Sequence, residues 1–297
     1  MSPTIAIDSR SNLIGSLWMI TAMAFFAIED SLLKSAATSV PVGQIMVLFG
    51  LGGAAVFAAV ARWNGEALYT PDVISPAMRV RFVFELVGRL FYTLAITLIP
   101  LSAATVILQA TPLVVVAGAA LVFGETVGWR RWVAIVIGLI GVIIIVQPGT
   151  DSFSALSIIA VLGMLGFAGR DLASRAAPAS LSTALLGVYG FLTIVLAGAI
   201  YGLWQGAAFV MPSGTAGLLL IGAILSGAFA YGCLMRAMRT GEVSAVTPYR
   251  YTRLLFGIGL GVLLFGEEVS GTMILGSGLI VFSGLFIRWR GRQAQKG

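Results

Sequence analysis

Glu85, Arg89 and Tyr92 recur at i, i+4 and i+7 inside an apolar run, so a helix there carries all three on one face. Glu85 stands four residues N-terminal to Arg89, the favourable order for a local ion pair. Pro248-Tyr249-Arg250-Tyr251-Thr252-Arg253 is the densest polar stretch in any apolar run of the chain. A third cluster occurs twice: Glu29-Asp30 with Lys34, and Arg170-Asp171 with Arg175. Gln109 and Thr111 before Pro112 form a fourth. A planar guanidinium binds a carboxylate in bidentate fashion, and a carboxylate accepts from an ammonium, so these groups suit recognition of a small charged solute. Each cluster also has a plainer reading, as ion pairs or hydrogen bonds that satisfy one another and hold helices together.

Composition decides what surrounds these groups. The chain has 297 residues, 59% hydrophobic and only 10% charged. A soluble domain carries about a quarter charged residues to hydrate its surface, so this chain must dissolve in lipid. Its 37 glycines suit close helix contact in a bilayer. The net charge of +6 comes from basic residues that punctuate apolar runs, the pattern of topology signals and not of a nucleic-acid surface. Cys233 is the single cysteine, so no intrachain disulfide can form, and no cleavable signal peptide is evident. There is no histidine, which excludes His-ligated haem, His-based zinc sites and a Ser–His intramembrane protease. No cofactor and no metal are expected.

The elements that position the clusters follow from length and charge. A spanning helix needs about 20 mostly apolar residues. Ten runs qualify, near 12–34, 41–62, 80–98, 101–123 and 129–147, then 154–175, 180–205, 214–236, 243–265 and 270–288. The two halves echo each other. Phe26, Asp30 and Lys34 return as Phe167, Asp171 and Arg175, 141 positions on. Leu101-Ser102-Ala103…Phe123-Gly124-Glu125 returns as Val243-Ser244-Ala245…Phe265-Gly266-Glu267, 142 positions on. Residues 1–150 and 151–297 are thus expected to be two copies of five spans each, and an odd count turns the second copy upside down. With the N-terminus in the cytoplasm, every basic residue except Lys34, Arg89, Arg250 and Arg253 falls at or near the inner face, which supports ten spans with both ends inside. The longest connection, about 63–79, reads as a cytoplasmic surface loop.

A charge at the bilayer centre costs about 2.5–3.5 kcal/mol on insertion scales, so the clusters should face inward and find partners. Counting from Val243 at 1.5 Å per residue, Arg250 lies ~10 Å deep and Arg253 ~15 Å deep. Glu85 is the obvious protein acceptor, and it cannot neutralise Arg89, Arg250 and Arg253 together, so the surplus suits an anionic group on a solute. Pro248 frees a backbone carbonyl, tolerable where a cavity is lined. Asp30 and Asp171, as repeat mates, suit either helix-end polarity with Lys34 and Arg175 at i+4 or a pair of gates, one per face; Asp30 or Glu29 can also carry a proton. Trp18, Tyr92, Tyr231, Tyr249 and Tyr251 are candidates for an apolar pocket wall. Gly257-Ile258-Gly259-Leu260-Gly261 reads as helix packing, and Glu125 and Glu267 as turn markers.

The echoed segments resemble the EamA-type unit of the drug/metabolite transporter superfamily. The resemblance is carried by Tyr92-Thr93-Leu94-Ala95-Ile96, Leu101-Ser102-Ala103-Ala104-Thr105, Gln109-Ala110-Thr111-Pro112, Phe123-Gly124-Glu125 and Gly138-Leu139-Ile140-Gly141. In the second half Val243-Ser244-Ala245, Phe265-Gly266-Glu267 and Gly276-Ser277-Gly278 match. It covers nearly the whole chain, and bacterial aromatic and neutral amino-acid exporters are the nearest named match. It implies a ten-helix carrier whose central cavity is lined by spans one to four and six to nine. One departure stands out: Pro112 has Leu254 as its counterpart, and the second half carries Pro248 instead.

The sequence therefore predicts an all-α integral membrane protein with ten transmembrane helices, arranged as two inverted five-helix repeats around a central cavity. The expected function is export of small metabolites, foremost neutral or aromatic amino acids, by alternating access across a bacterial inner membrane. It is not expected to be an enzyme or to bind nucleic acid, and it is expected to work as a monomer in the bilayer. Solute contacts are expected from Glu85, Arg89, Tyr92, Gln109, Thr111, Tyr231, Tyr249, Arg250, Tyr251 and Arg253, and gating or proton coupling from Glu29, Asp30 and Asp171. Three alternatives stay open: a carrier of a nucleoside-like compound or organic cation, a membrane enzyme with a lipid-linked substrate, and a passive channel.

Overall fold

Gly124 and Gly266, the echoed glycines, end their helices in the same way. Each takes a left-handed conformation (φ 66° and 63°) just past the last helical turn, where a Cβ would be strained. In the computed structural model, residues 9–124, 128–147, 154–176, 178, 180–240 and 246–294 are described. Glu125 and Val243-Ser244-Ala245 lie outside them. The helices are α1 (Ser9–Ala36), α2 (Val42–Trp63), α3 (Pro76–Leu98), α4 (Leu101–Leu108), α5 (Thr111–Phe123), α6 (Trp129–Val146), α7 (Leu156–Arg175), α8 (Thr183–Gln205), α9 (Gly214–Thr240), α10 (Thr252–Phe265) and α11 (Gly271–Ala294). Among the described residues there is no strand.

α4 and α5 together make the fourth span, and a 3-10 turn, Thr247–Tyr251, leads α10 into the ninth. The sequence predicted an unbroken run over 101–123. The break falls at Gln109-Ala110 because Pro112 has no N–H to give the Leu108 carbonyl. The Thr111 hydroxyl takes that role instead, donating to Leu108 O at 2.5 Å. The ninth span is broken at Pro248 rather than at the counterpart of Pro112, so each half has one interrupted helix at a different register.

Six of the ten spans are long and apolar enough to cross a membrane on that ground alone: α1, α2, α4 with α5, α7, α8 and α9. The others fall short for local reasons. α3 carries Arg79, Arg81, Glu85 and Arg89. α10 is shortened by the 3-10 turn, and α6 and α11 hold shorter apolar stretches, Trp132–Val146 and Gly271–Phe286.

Helix direction shows the inversion. In α2 and α8, which are repeat mates, a Cβ on Gly43 would stand 2.7 Å from Gly202 Cα, and one on Gly50 would stand 2.8 Å from Phe191 O. Farther along, Phe57 stacks on Phe191 and covers Gly187. Numbers rise along α2 as they fall along α8, so the mates run antiparallel. The same holds for α6 and α11, where Gly141 meets Gly276 and Gly138 meets Ser283. It holds again for α4 and α10, where Thr105 meets Gly257 and Ser102 meets Gly261. The remaining close pairs, α1 with α9 and α3 with α7, are exchanged by the same two-fold relation. With an even number of spans, the start of α1 and the end of α11 share one face, the N-terminal face.

The long connections obey this symmetry too. Residues 64–75 dock on the start of α8: Glu66 accepts from Ser182, the N-cap of that helix, and Asp72 accepts from Ser180. Tyr189 OH also donates to Leu68 O at 3.0 Å. Residues 206–213 dock on the start of α2, where Gln44 accepts from Val210 N at 2.9 Å and donates to Val210 O at 2.6 Å. Each half thus straps the other at opposite faces.

Candidate functional site

α3 and α7 cross closely because Gly88, Gly163, Gly166 and Gly169 let their backbones approach. That packing brings Arg170 to Glu85, 3.3 Å away. Glu85 also holds Arg81 at 3.3 Å and Arg89 at 3.6 Å. Arg81, Glu85 and Arg89 form one stripe along α3, so Glu85 is a hub for three guanidiniums. Arg170 binds Asp171 at 2.8 Å, covers the Phe167 ring at 4.7 Å and is joined through Ser174 to Arg81.

A second cluster lies farther from the N-terminal face. α1 sits between α9 and α10, which carries Asp30 to Arg253: Nη2 stands 2.5 Å from Asp30 Oδ2. Tyr92 OH donates to the same carboxylate at 2.9 Å, and Arg253 covers Phe26 at 5.2 Å. Glu29 faces Arg89 at 3.7 Å. Glu29, Asp30 and Glu85 are buried. The carboxylate predicted to meet the ninth-span arginines was Glu85. The structure gives Arg253 to Asp30 instead, because Glu85 is turned toward α7 and its own stripe.

Lys34 also departs from the i+4 expectation. It does not pair with Asp30. It donates to Ile96 O at 2.9 Å and Ile99 O at 2.7 Å, carbonyls left open at the end of α3. Glu267, read from sequence as a turn marker, stands 4.0 Å from Lys34 and accepts from Leu101 N, Ser102 N and Ser102 Oγ at 2.6, 2.9 and 2.7 Å. A carboxylate at a helix N-terminus satisfies open N–H groups. These contacts join α1, α3, α4 and the end of α10 at the face opposite the start of α1. Nothing in the sequence signals this seal beyond the echo of Phe-Gly-Glu. Arg81 was likewise missed as a site residue, although its place four residues before Glu85 was a readable signal.

Between the central cluster and the seal lies a cavity lined by Glu29, Asp30, Arg89, Tyr92, Thr93 and the apolar Leu33, Ile45, Met46, Phe49, Ile96 and Ile194. It has room for about one water, so the walls are drawn together here. At the face opposite the start of α1, Lys34 and Glu267 close the end of this polar trail.

Other predicted residues sit apart from this cavity. Gln109 donates to Arg250 O at 2.8 Å, tying the two interrupted helices together. Thr111 is committed to Leu108 O. Tyr231 packs edge-on against Phe57, centroids 5.1 Å apart. Tyr249 is exposed, and the Tyr251 hydroxyl is buried against Gly284 of α11. Among the described residues, no group of acidic, histidine or cysteine side chains could hold a metal ion.

Inverted five-helix repeats, interrupted helices and buried cross-repeat ion pairs around a midplane cavity define a secondary-transporter architecture. The EamA-like transporter family model matches twice, at residues 13–147 and 155–289. The chain belongs to that family and is a multi-pass membrane transporter. It is similar to the riboflavin transporter of Vibrio cholerae, 29% identical, with 95% of each chain covered. It is also similar to the S-adenosylmethionine uptake transporter of Rickettsia prowazekii, 23% identical over 94% of this chain and 93% of that one. The pseudopaline exporter of Pseudomonas aeruginosa is 29% identical over 90% and 93%. A solved crystal structure shares the fold, with a TM-score of 0.62 at 22% identity, covering 93% of this chain and 97% of that one.

Proposed function

We propose that this chain carries small zwitterionic metabolites, foremost neutral or aromatic amino acids, out of the cell by alternating access. The observation that carries the reading is the pair of buried acid–guanidinium contacts between helices, Glu29–Arg89 and Asp30–Arg253, at an otherwise apolar cavity. A zwitterion brings one charge of each sign, so it can enter between acid and base without leaving either unmatched in a low dielectric. Aliphatic and aromatic lining residues suit its side chain. Glu29, Asp30 and Asp171 serve as gates or proton carriers, breaking on one face as they form on the other. No covalent step is involved, and one chain suffices.

The distribution of basic residues supports an orientation with the N-terminal face in the cytoplasm of a bacterial inner membrane. The Lys34–Glu267 contacts at the other face suit a state that takes solute from the cytoplasm. The test is counterflow in proteoliposomes with an amino-acid panel. Saturable exchange of neutral amino acids is expected, and absence of exchange for every member removes the reading. A second reading, a nucleoside-like or flavin-like aromatic solute, is favoured by the names of the Vibrio and Rickettsia relatives. Riboflavin and S-adenosylmethionine in the same panel separate the two.

A further inference from the structure

Two guanidiniums sit in the membrane interior near this cavity, and they are not equivalent. We infer that Arg89 receives the carboxylate of the solute and Glu29 its ammonium, while Arg253 and Asp30 form a clamp that the solute does not enter. This rests on the zwitterion reading above.

Arg253 is already engaged. Its Nη2 is 2.5 Å from Asp30 and 3.4 Å from Tyr92 OH, and it is not among the cavity-lining residues. Arg89 lines the cavity. Its two carboxylate neighbours stand 3.6 and 3.7 Å away, outside the 2.7–3.2 Å range of N–H···O hydrogen bonds. Its Nε, like that of Arg253, is buried without an acceptor, but Arg253 hydrogen-bonds through Nη2 and Arg89, among the described residues, makes no hydrogen bond at all. A half-buried guanidinium in that condition is an open fork, and a carboxylate fills a fork with two parallel bonds. Glu29 is equally loose: its one ion pair among the described residues is this long one. Inserting a zwitterion replaces one weak contact by two strong ones and leaves the summed charge unchanged. An amine without a carboxylate would leave the Arg89 fork empty beside a newly buried cation, and discrimination against it follows.

The experiment compares L-phenylalanine with L-phenylalaninamide, and L-leucine with L-leucinamide, as counterflow substrates of purified protein in proteoliposomes. The wild type is expected to prefer each acid by about tenfold or more. Arg89→Gln should abolish that preference, and Arg89→Lys, which keeps charge but loses the fork, should reduce it. Arg253→Gln should slow exchange and keep the preference. The double variant Glu29→Gln/Arg89→Gln removes both charges together and serves if Arg89→Gln fails to fold; it too should lose the preference. A preference that survives in the Arg89 variants, or disappears in Arg253→Gln alone, overturns the assignment and leaves the zwitterion reading standing. A wild type that carries the amides and not the acids overturns both.

Discussion

Glu267 at the end of α10 binds Ser102 at the start of α4 through both the serine N–H and its hydroxyl, at 2.9 and 2.7 Å. The second half of the chain thereby caps a helix of the first half, and Lys34 closes the same corner from α1. A carrier that alternates must break this contact to open that face. Hydrogen bonds to a charged group contribute about 1.5–3 kcal/mol each, and 1.4 kcal/mol is about tenfold in an equilibrium. Glu267→Gln should therefore raise the rate at which a membrane-impermeant thiol reagent, added from that face, labels Leu33→Cys by about tenfold. Cys233→Ala is the background. An unchanged labelling rate would show that the seal lies elsewhere.

Asp30 and Arg253 should behave as one unit. Removing one partner of a buried ion pair costs about 3–5 kcal/mol, because the other charge is left in the interior. Asp30→Asn and Arg253→Gln should each lower the unfolding temperature in detergent, and the double variant should recover part of the loss. Thermal unfolding of the four proteins of that cycle measures the coupling. Additive losses would mean that the two side chains act separately.

The same change at two glycines of the α2–α8 pair should have opposite effects. A Cβ on Gly43 meets the Gly202 backbone, whereas one on Gly190 meets nothing within 4 Å. Gly190→Ala should be neutral or stabilise by up to about 1 kcal/mol, the helix preference of alanine over glycine. Gly43→Ala should destabilise, since a helix backbone cannot yield as a flexible side chain does. Unfolding temperatures and membrane yield report both.

The crossed straps predict sidedness. Asn64 and Phe209 are both exposed, on loops at opposite faces. In the Cys233→Ala background, Asn64→Cys should react with an impermeant thiol reagent only from the cytoplasmic side, and Phe209→Cys only from the outside. Labelling of both from one side would end the inverted arrangement.

A local pairing was legible in the sequence where one helix contains both partners and nothing beside it competes. Arg89 follows Glu85 by four residues, and helix geometry alone puts them together. The same rule failed for Asp30 and Lys34, which have equal spacing. There the end of α3 offers Lys34 two open carbonyls, and Arg253 holds Asp30 at 2.5 Å. Equal spacing permits a pair; what packs beside the helix decides whether it forms.

Composition, the 141- and 142-residue echoes and the position of the basic residues determined the bilayer, the ten spans and the antiparallel repeats. These depend on apolar length and on parity, which a linear chain expresses directly. Tertiary structure alone decided that Asp30 meets Arg253, that Glu267 caps α4, and that Arg89 is left with an unfilled fork beside the cavity. Those relations depend on how far each helix is rotated and how closely glycines let neighbours approach. A few degrees of rotation, set by packing along a whole helix, move a side chain from one partner to the next.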